Sequence, residues 1–337
     1  MAVRMKDIAK DLGVSLMTVS KALRNHSDIS DETRERVLKR ATELNYQPNW
    51  IAQSLVTRKT FLIGLVIPDL MHSFFAEVAK GIGRKLGGMG YQIVISNTEE
   101  DEAREERHLN LLIARKVDGL IVASAQRSGR ADVFQSLEAA KVPYVLIDRM
   151  LAGVEANFVG VKDAEVGDLA TTHLIEQGCR RIAHIRGPAV ATGSGRLRGY
   201  RQALARHGLK APTEYVVCGE SGDHTGYEAM RELLLVEPRP DGVFCYNDPV
   251  AAGAIKAVLE AGLSVPDDIA IIGAGNVHYS DLLRVPLSTI DQSTTRIGEA
   301  AAELLSECMT SKSALPARRI FFTPTVVPRD STRRLAR

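Results

Sequence analysis

Between Met5 and Leu23 the chain carries a short run of side chains suited to reading a nucleic acid: Met5-Lys-Asp-Ile-Ala-Lys-Asp-Leu-Gly-Val-Ser-Leu-Met-Thr-Val-Ser-Lys-Ala-Leu23. Lys21 can donate to guanine O6 or N7. Leu16 and Met17 have no hydrogen-bonding groups in their side chains. They either pack on thymine methyls or belong to a core. Thr18 and Ser20 offer hydroxyls to phosphate, a contact that positions a protein without specifying a base. Arg24 and Asn25 follow, as a backbone or base contact or as a solvated loop.

These residues need a helix to carry them. Ile8, Ala9 and Leu12 share the apolar face of a first helix, and Gly13 supplies the backbone freedom for a tight turn. Ser15 is a natural N-cap for a second helix, Leu16–Leu23, whose Val19 and Leu23 face inward. Ser30 caps a third helix, where Asp31 and Glu32 suit the positive N-terminus and Val37, Ala41 and Leu44 form a stripe. The expected unit is a helix-turn-helix whose second helix enters the major groove. Pro48–Val56 reads as a fourth, very short helix that folds only when something packs against it.

From Phe61 the pattern changes to apolar runs alternating with helical stretches. Strands are expected at Phe61–Ile67, Tyr91–Ser96, Gly119–Ala123, Tyr144–Asp148, Phe158–Val161, Arg181–Ile185, Tyr215–Cys218, Gly242–Tyr246, Ile269–Gly273 and Leu287–Ile290. Runs of this kind imply parallel sheets covered by helices on both faces. That much sheet requires two doubly wound lobes, with a ligand beyond the strands' carboxyl ends in the cleft between them. The fold class is therefore α/β with an all-α headpiece.

Composition narrows the function classes. Of 337 residues, 45% are hydrophobic and 25% charged, an ordinary globular balance. Residues 1–60 hold 11 Lys+Arg against 7 Asp+Glu, whereas the remainder is slightly acidic. A basic end on a near-neutral body suits a polyanion. Cys179, Cys218, Cys245 and Cys308 are too scattered for a metal cluster and read as thiols in a reducing compartment. No signal-peptide core or apolar run of about 18 residues appears, so a cytoplasmic protein without a membrane role is expected. There is no P-loop, HExxH or GxSxG, and no cofactor is expected. Gly81–Gly87 imitates a glycine fingerprint but lies within a helical pattern. The rival readings are an α/β enzyme and a sugar-binding module without a DNA role.

The chain resembles the LacI/GalR family of bacterial repressors. The resemblance rests on Lys6-Asp-Ile-Ala, Gly13-Val-Ser, Thr18-Val-Ser, Leu44-Asn-Tyr, Ala52-Gln-Ser-Leu55, Ile63-Gly-Leu-Val-Ile-Pro, Ile147-Asp-Arg, His184-Ile-Arg-Gly-Pro, Asn247-Asp248 and Leu287-Ser-Thr-Ile, and covers essentially the whole chain. It implies a headpiece at 1–47, a hinge helix and linker at 48–59, and an effector-binding core at 60–337 shaped like a periplasmic binding protein. One lobe would hold about 60–160 and 292–322, the other about 162–290 and 325–337. It also implies a homodimer on a pseudo-palindromic operator, with a small-molecule effector, a sugar or sugar acid, setting DNA affinity. The tail from Pro328 has no leucine heptads, which favours a dimer over a coiled-coil tetramer.

The resemblance further implies roles for individual residues. Leu55 would wedge into the minor groove, or serve only as a dimer contact, and Ala52 would allow close approach. Effector positions would be Asp69, Ser73, Phe74, Phe75, Asp148, Arg149, Thr192, Arg196, Asn247, Asp248 and Asn276. Phe75 also fits a core residue, Asp248 a helix cap and Arg196 a surface charge. Many members carry Gly-Tyr-Asp where this chain has Gly273-Ala-Gly-Asn276, so a carboxylate is missing at position 275. With Arg149 and Arg196 retained, that loss points toward an anionic ligand.

Overall fold

The computed structural model describes residues 3–47, 54, 57, 59–126, 132–311, 313 and 315–334. The chain divides into two compact units, Met1–Thr60 and Phe61–Arg337.

Residues 3–47 of the first unit form three helices: α1 (Met5–Leu12), α2 (Leu16–Leu23) and α3 (Asp31–Glu43). Gly13 ends α1 with φ +64, a conformation that strains any residue with a Cβ. Ser15 and Ser30 cap α2 and α3, accepting from the backbone N–H of Thr18 and Thr33. Ile8, Ala9, Val19, Ala22, Val37 and Ala41 form the core, with Leu23 and Leu44 packed against it. Arg40 of α3 donates to Asp11 of α1 through Nε at 2.9 Å, closing the bundle from outside. The fourth helix expected at Pro48–Val56 lies, Ser54 apart, outside the described residues, as do Ala52 and Leu55.

The second unit contains two parallel sheets. The first is ordered β2-β1-β3-β4-β5-β11, from β1 (Leu62–Ile67), β2 (Gln92–Asn97), β3 (Gly119–Val122), β4 (Tyr144–Ile147), β5 (Asn157–Val161) and β11 (Arg319–Phe322). The second is ordered β7-β6-β8-β9, from β6 (Ile182–Arg186), β7 (Val216–Cys218), β8 (Gly242–Cys245) and β9 (Ala270–Ile272). An antiparallel pair, β10 (Thr289–Asp291) with β12 (Thr325–Val327), extends beyond β9 through a bridge from Ile272 to Ser288. The chain passes between the sheets after β5, after β10 and after β11.

Helices α4 (Ser73–Gly87), α5 (Glu102–Ala114), α6 (Asp132–Ala139) and α11 (Thr294–Thr310) belong to the first lobe. The second lobe has α7 (Asp163–Glu176), α8 (Ala191–Arg206), α9 (Asp223–Leu234) and α10 (Asp248–Glu260). β1 and β3 are buried almost throughout because helices cover both faces. Close helix pairs rest on glycine: a Cβ on Gly199 of α8 would lie 2.0 Å from the Ala164 carbonyl oxygen of α7. The strands expected from the sequence fall within a residue or two of β1–β10. β11, β12 and α6 were not foreseen. Among the described residues no helix is long and apolar enough to cross a membrane.

Candidate functional sites

On α2, Leu16 is 51% and Met17 62% exposed, so neither is a core residue of this unit. They form an apolar outer face on the first turn, where a groove-reading helix meets base edges. Thr18 is partly committed to the helix cap, its Oγ1 lying 2.8 Å from Ser15 Oγ. Ser20 gives its carbonyl to Arg24 Nε at 3.1 Å, which folds the arginine back along the helix. Asn25 turns the chain with φ +55 and is exposed. Lys21 pairs with Asp28 across the loop after α2. That ammonium holds the Asp28 carboxyl below the usual carboxylate range. Lys21 therefore meets DNA only by leaving or sharing Asp28. Asp28→Asn is expected to tighten binding to a mixed-sequence duplex roughly threefold, with a salt slope steeper by ~0.9. Fluorescence anisotropy across a salt series reads both, and an unchanged slope would remove Lys21 from the contact surface.

The second site lies where the carboxyl ends of β1, β4 and β8 meet the N-terminus of α4. Of the expected effector positions, Asp69, Phe74, Phe75, Asp148, Arg149, Arg196 and Asn247 line one cavity there. His72, Glu100, Ser221, Tyr246, Ala274 and Gln292, which sequence reasoning passed over, complete it. Its volume is about 30 Å³, against ~300 Å³ or more for ordinary ligand pockets. A sugar-sized ligand enters only if the walls part.

The two arginines are buried, each 3% exposed, which excludes a surface role for Arg196. Arg149 forks onto Glu100, with Nη1 and Nη2 each 2.6 Å from a carboxylate oxygen. Among the described residues its Nε has no acceptor, and it faces Asp148 Oδ2 at 3.6 Å, too far for a hydrogen bond. Arg196 donates from Nε to Asp163 at 3.1 Å, from Nη1 to the Tyr246 carbonyl at 2.6 Å and from Nη2 to Gln292 Oε1 at 3.1 Å. Its guanidinium also stands 4.7 Å above the Tyr246 ring. Burial raises the Asp163 carboxyl to about 6 although Arg196 pulls the other way. Asp148 is likewise raised by burial, against Arg149 and Arg196. Both guanidiniums are thus already matched by carboxylates. This pairing bears against the expectation of an anionic ligand, drawn from the missing carboxylate at 275.

Four expected positions do not line the cavity. Thr192 turns its hydroxyl to Tyr246 Oη at 2.7 Å, behind the wall. Ser73 opens α4 beside the cavity. Asn276 accepts from Arg329 Nη2 at 2.8 Å and so faces away. Asp248 is fully buried beneath the 273–280 loop: Oδ2 accepts from Val277 N–H at 2.9 Å and Ser280 Oγ at 2.8 Å, and Oδ1 from Thr289. Nor is Asp248 the helix cap; Asn247 is, its Oδ1 accepting from Val250 N–H at 2.9 Å. His72 is the main omission. It caps α4 by accepting from Phe74 N–H at 3.2 Å, and its partner Asn247 is so distant in sequence that no local pattern announces it.

Comparison with known proteins covers both units. The description "Bacterial regulatory proteins, lacI family" matches residues 4–49, and "Periplasmic binding protein-like domain" matches 171–332. The ribose operon repressor of Escherichia coli (strain K12) is 36% identical over 329 residues, 97% of this chain and 99% of that protein. The HTH-type transcriptional repressor PurR of Mannheimia succiniciproducens is 34% identical over 333 residues, 98% and 99% of the two. Among solved structures, the lac repressor dimer bound to operator and the anti-inducer ONPF gives a TM-score of 0.86 at 26% identity, covering 98% of this chain and 99% of that one. The cellobiose complex of the transcriptional regulator CelR gives 0.74 at 30% identity, covering 98% and 99%.

Proposed function

Because the chain belongs to the lacI family of bacterial regulatory proteins, we propose that it is a dimeric transcriptional repressor whose operator affinity is set by a neutral polyhydroxylated ligand held between the core lobes. The observation that carries the ligand reading is the gap between Arg149 Nε and Asp148 Oδ2. One ligand hydroxyl placed there accepts from the guanidinium and donates to the carboxylate. A carboxylate placed there meets Asp148 and Glu100 as like charges. Phe74 and Phe75 offer apolar faces to a sugar ring, and Arg196 and Asn247 hold the opposite wall.

On the DNA side, Lys21 donates to a base, Leu16 and Met17 pack on thymine methyls, and Thr18, Ser20, Arg24 and Asn25 meet the backbone. Ala52 and Leu55 are assigned to minor-groove bending by the family resemblance alone. Two measurements test the proposal. Selection of genomic fragments on the full chain is expected to enrich a pseudo-palindrome, and to fail when residues 1–60 are removed. Isothermal titration is expected to show binding of a neutral sugar, with ribose and cellobiose as first candidates, and none of the matching aldonic acids. Binding of the acids alone would overturn the ligand assignment.

A further inference from the structure

We propose that His72 is a proton-sensitive latch that holds the two lobes of the core together only while its ring is unprotonated. The ring bridges two helix caps. Its Nδ1 accepts from Phe74 N–H in the first lobe at 3.2 Å, and its Nε2 lies 3.0 Å from Asn247 Nδ2 in the second. Asn247 is not free to turn its oxygen toward the ring. That oxygen already accepts from Val250 N–H, and Nδ2 also donates to the Ser221 carbonyl at 2.9 Å. Both of the ring's neighbours are therefore donors. A neutral imidazole has one acceptor nitrogen, so it closes the latch in the tautomer whose Nε2 accepts from Asn247 Nδ2 and caps α4 in the other, the two exchanging. A protonated ring satisfies neither, and confronts two N–H groups with two of its own.

Among the charged and titratable groups sharing the cavity the arginines oppose a protonated ring, and the carboxylates, Asp69 apart, are matched by arginine. Arg196 from α8 and Arg149 after β4 oppose a further positive charge, although Asp163 and Glu100 neutralise each in part. Asp148 beside Arg149, Asp69 on the ring's own turn and Tyr246 after β8 complete the set. Burial, then Arg196 and Arg149, push the ring down to about 4. A solvated imidazole titrates near ~6.5. Between those limits the parted lobes bind one proton more than the closed ones, so falling pH favours parting. The ring lies next to a solvent-facing turn, with Met71 90% exposed, so protons reach it without unfolding the lobe. For the regulator proposed above, mild acid would weaken ligand closure.

Hydrogen–deuterium exchange on the full-length chain tests the latch without any ligand. After correction for intrinsic rates, protection of the Phe74 and Val250 amides is expected to fall about tenfold between pH 7.5 and 5.5. In His72→Asn, which keeps an acceptor but does not titrate, it should change less than twofold. Amides of β3 report global unfolding in the same spectra. Unchanged wild-type protection overturns the latch, as does an equal loss in His72→Asn or a parallel loss in β3. The result is independent of the titration with sugars. A pH response with no sugar binding leaves the latch and removes the ligand reading; sugar binding with no pH response does the opposite.

Discussion

Arg196→Ala is expected to destabilise the core by about 3–5 kcal/mol and to uncouple DNA binding from ligand. The arginine joins α8 to Asp163 at the start of α7, to the Tyr246 carbonyl after β8 and to Gln292 before α11. Its removal strands the Asp163 carboxylate, whose side chain is 12% exposed, without a counter-charge. The sign of the pH dependence follows. Asp163 already titrates at about 6 in the folded chain, above its ordinary value of 3.8. A raised folded-state value means that stability is fully present below the unfolded value and is lost as pH rises through the folded one. Without Arg196 that window moves above about 6. The melting gap between wild type and variant should therefore widen from pH 6 to pH 8, starting from roughly 10 °C. A gap that narrows would mean that Asp163 is not the group left exposed. Operator binding in a gel-shift assay should persist at temperatures where the variant is folded, but no sugar should alter it.

The architecture was legible because its signals are local. Leu62–Ile67 and Gly119–Val122 are continuous apolar runs, and burial on both faces is what such runs require. Gly13 and Ser15 announce the turn of the headpiece by backbone and capping chemistry alone. β11 gave no comparable signal. It is an edge strand that begins with exposed Arg319 and leaves Phe321 40% exposed, so its strand character comes from pairing with β5. The cleft was only half legible for a different reason. Position at a strand end places a residue near the cleft but does not say where its side chain points. Asn276 and Asp248 sit where ligand residues were expected, yet one turns to Arg329 and the other beneath its own loop. His72 was invisible because its meaning depends on Asn247, in the other lobe.

The misplaced aspartate makes the second large effect. Asp248→Ala is expected to lower the melting temperature of the core by about 10 °C through the loss of roughly 3 kcal/mol or more, with no change in operator contacts. Its three donors come from Val277, Ser280 and Thr289, so one carboxylate fastens the 273–280 loop to both α10 and β10. The loop is built around it: a Cβ on Gly273 would lie 2.3 Å from Asp248 Oδ1. Alanine leaves buried donors without an acceptor, which costs more than the hydrogen bonds themselves contribute. Asp248→Asn keeps one acceptor oxygen and should recover about half of the loss. Calorimetry on the full chain is the readout. If Asp248 instead held the ligand, the alanine variant would melt normally and fail only in the sugar titration. If it anchors the loop, sugar affinity should fall only as far as the folded fraction falls.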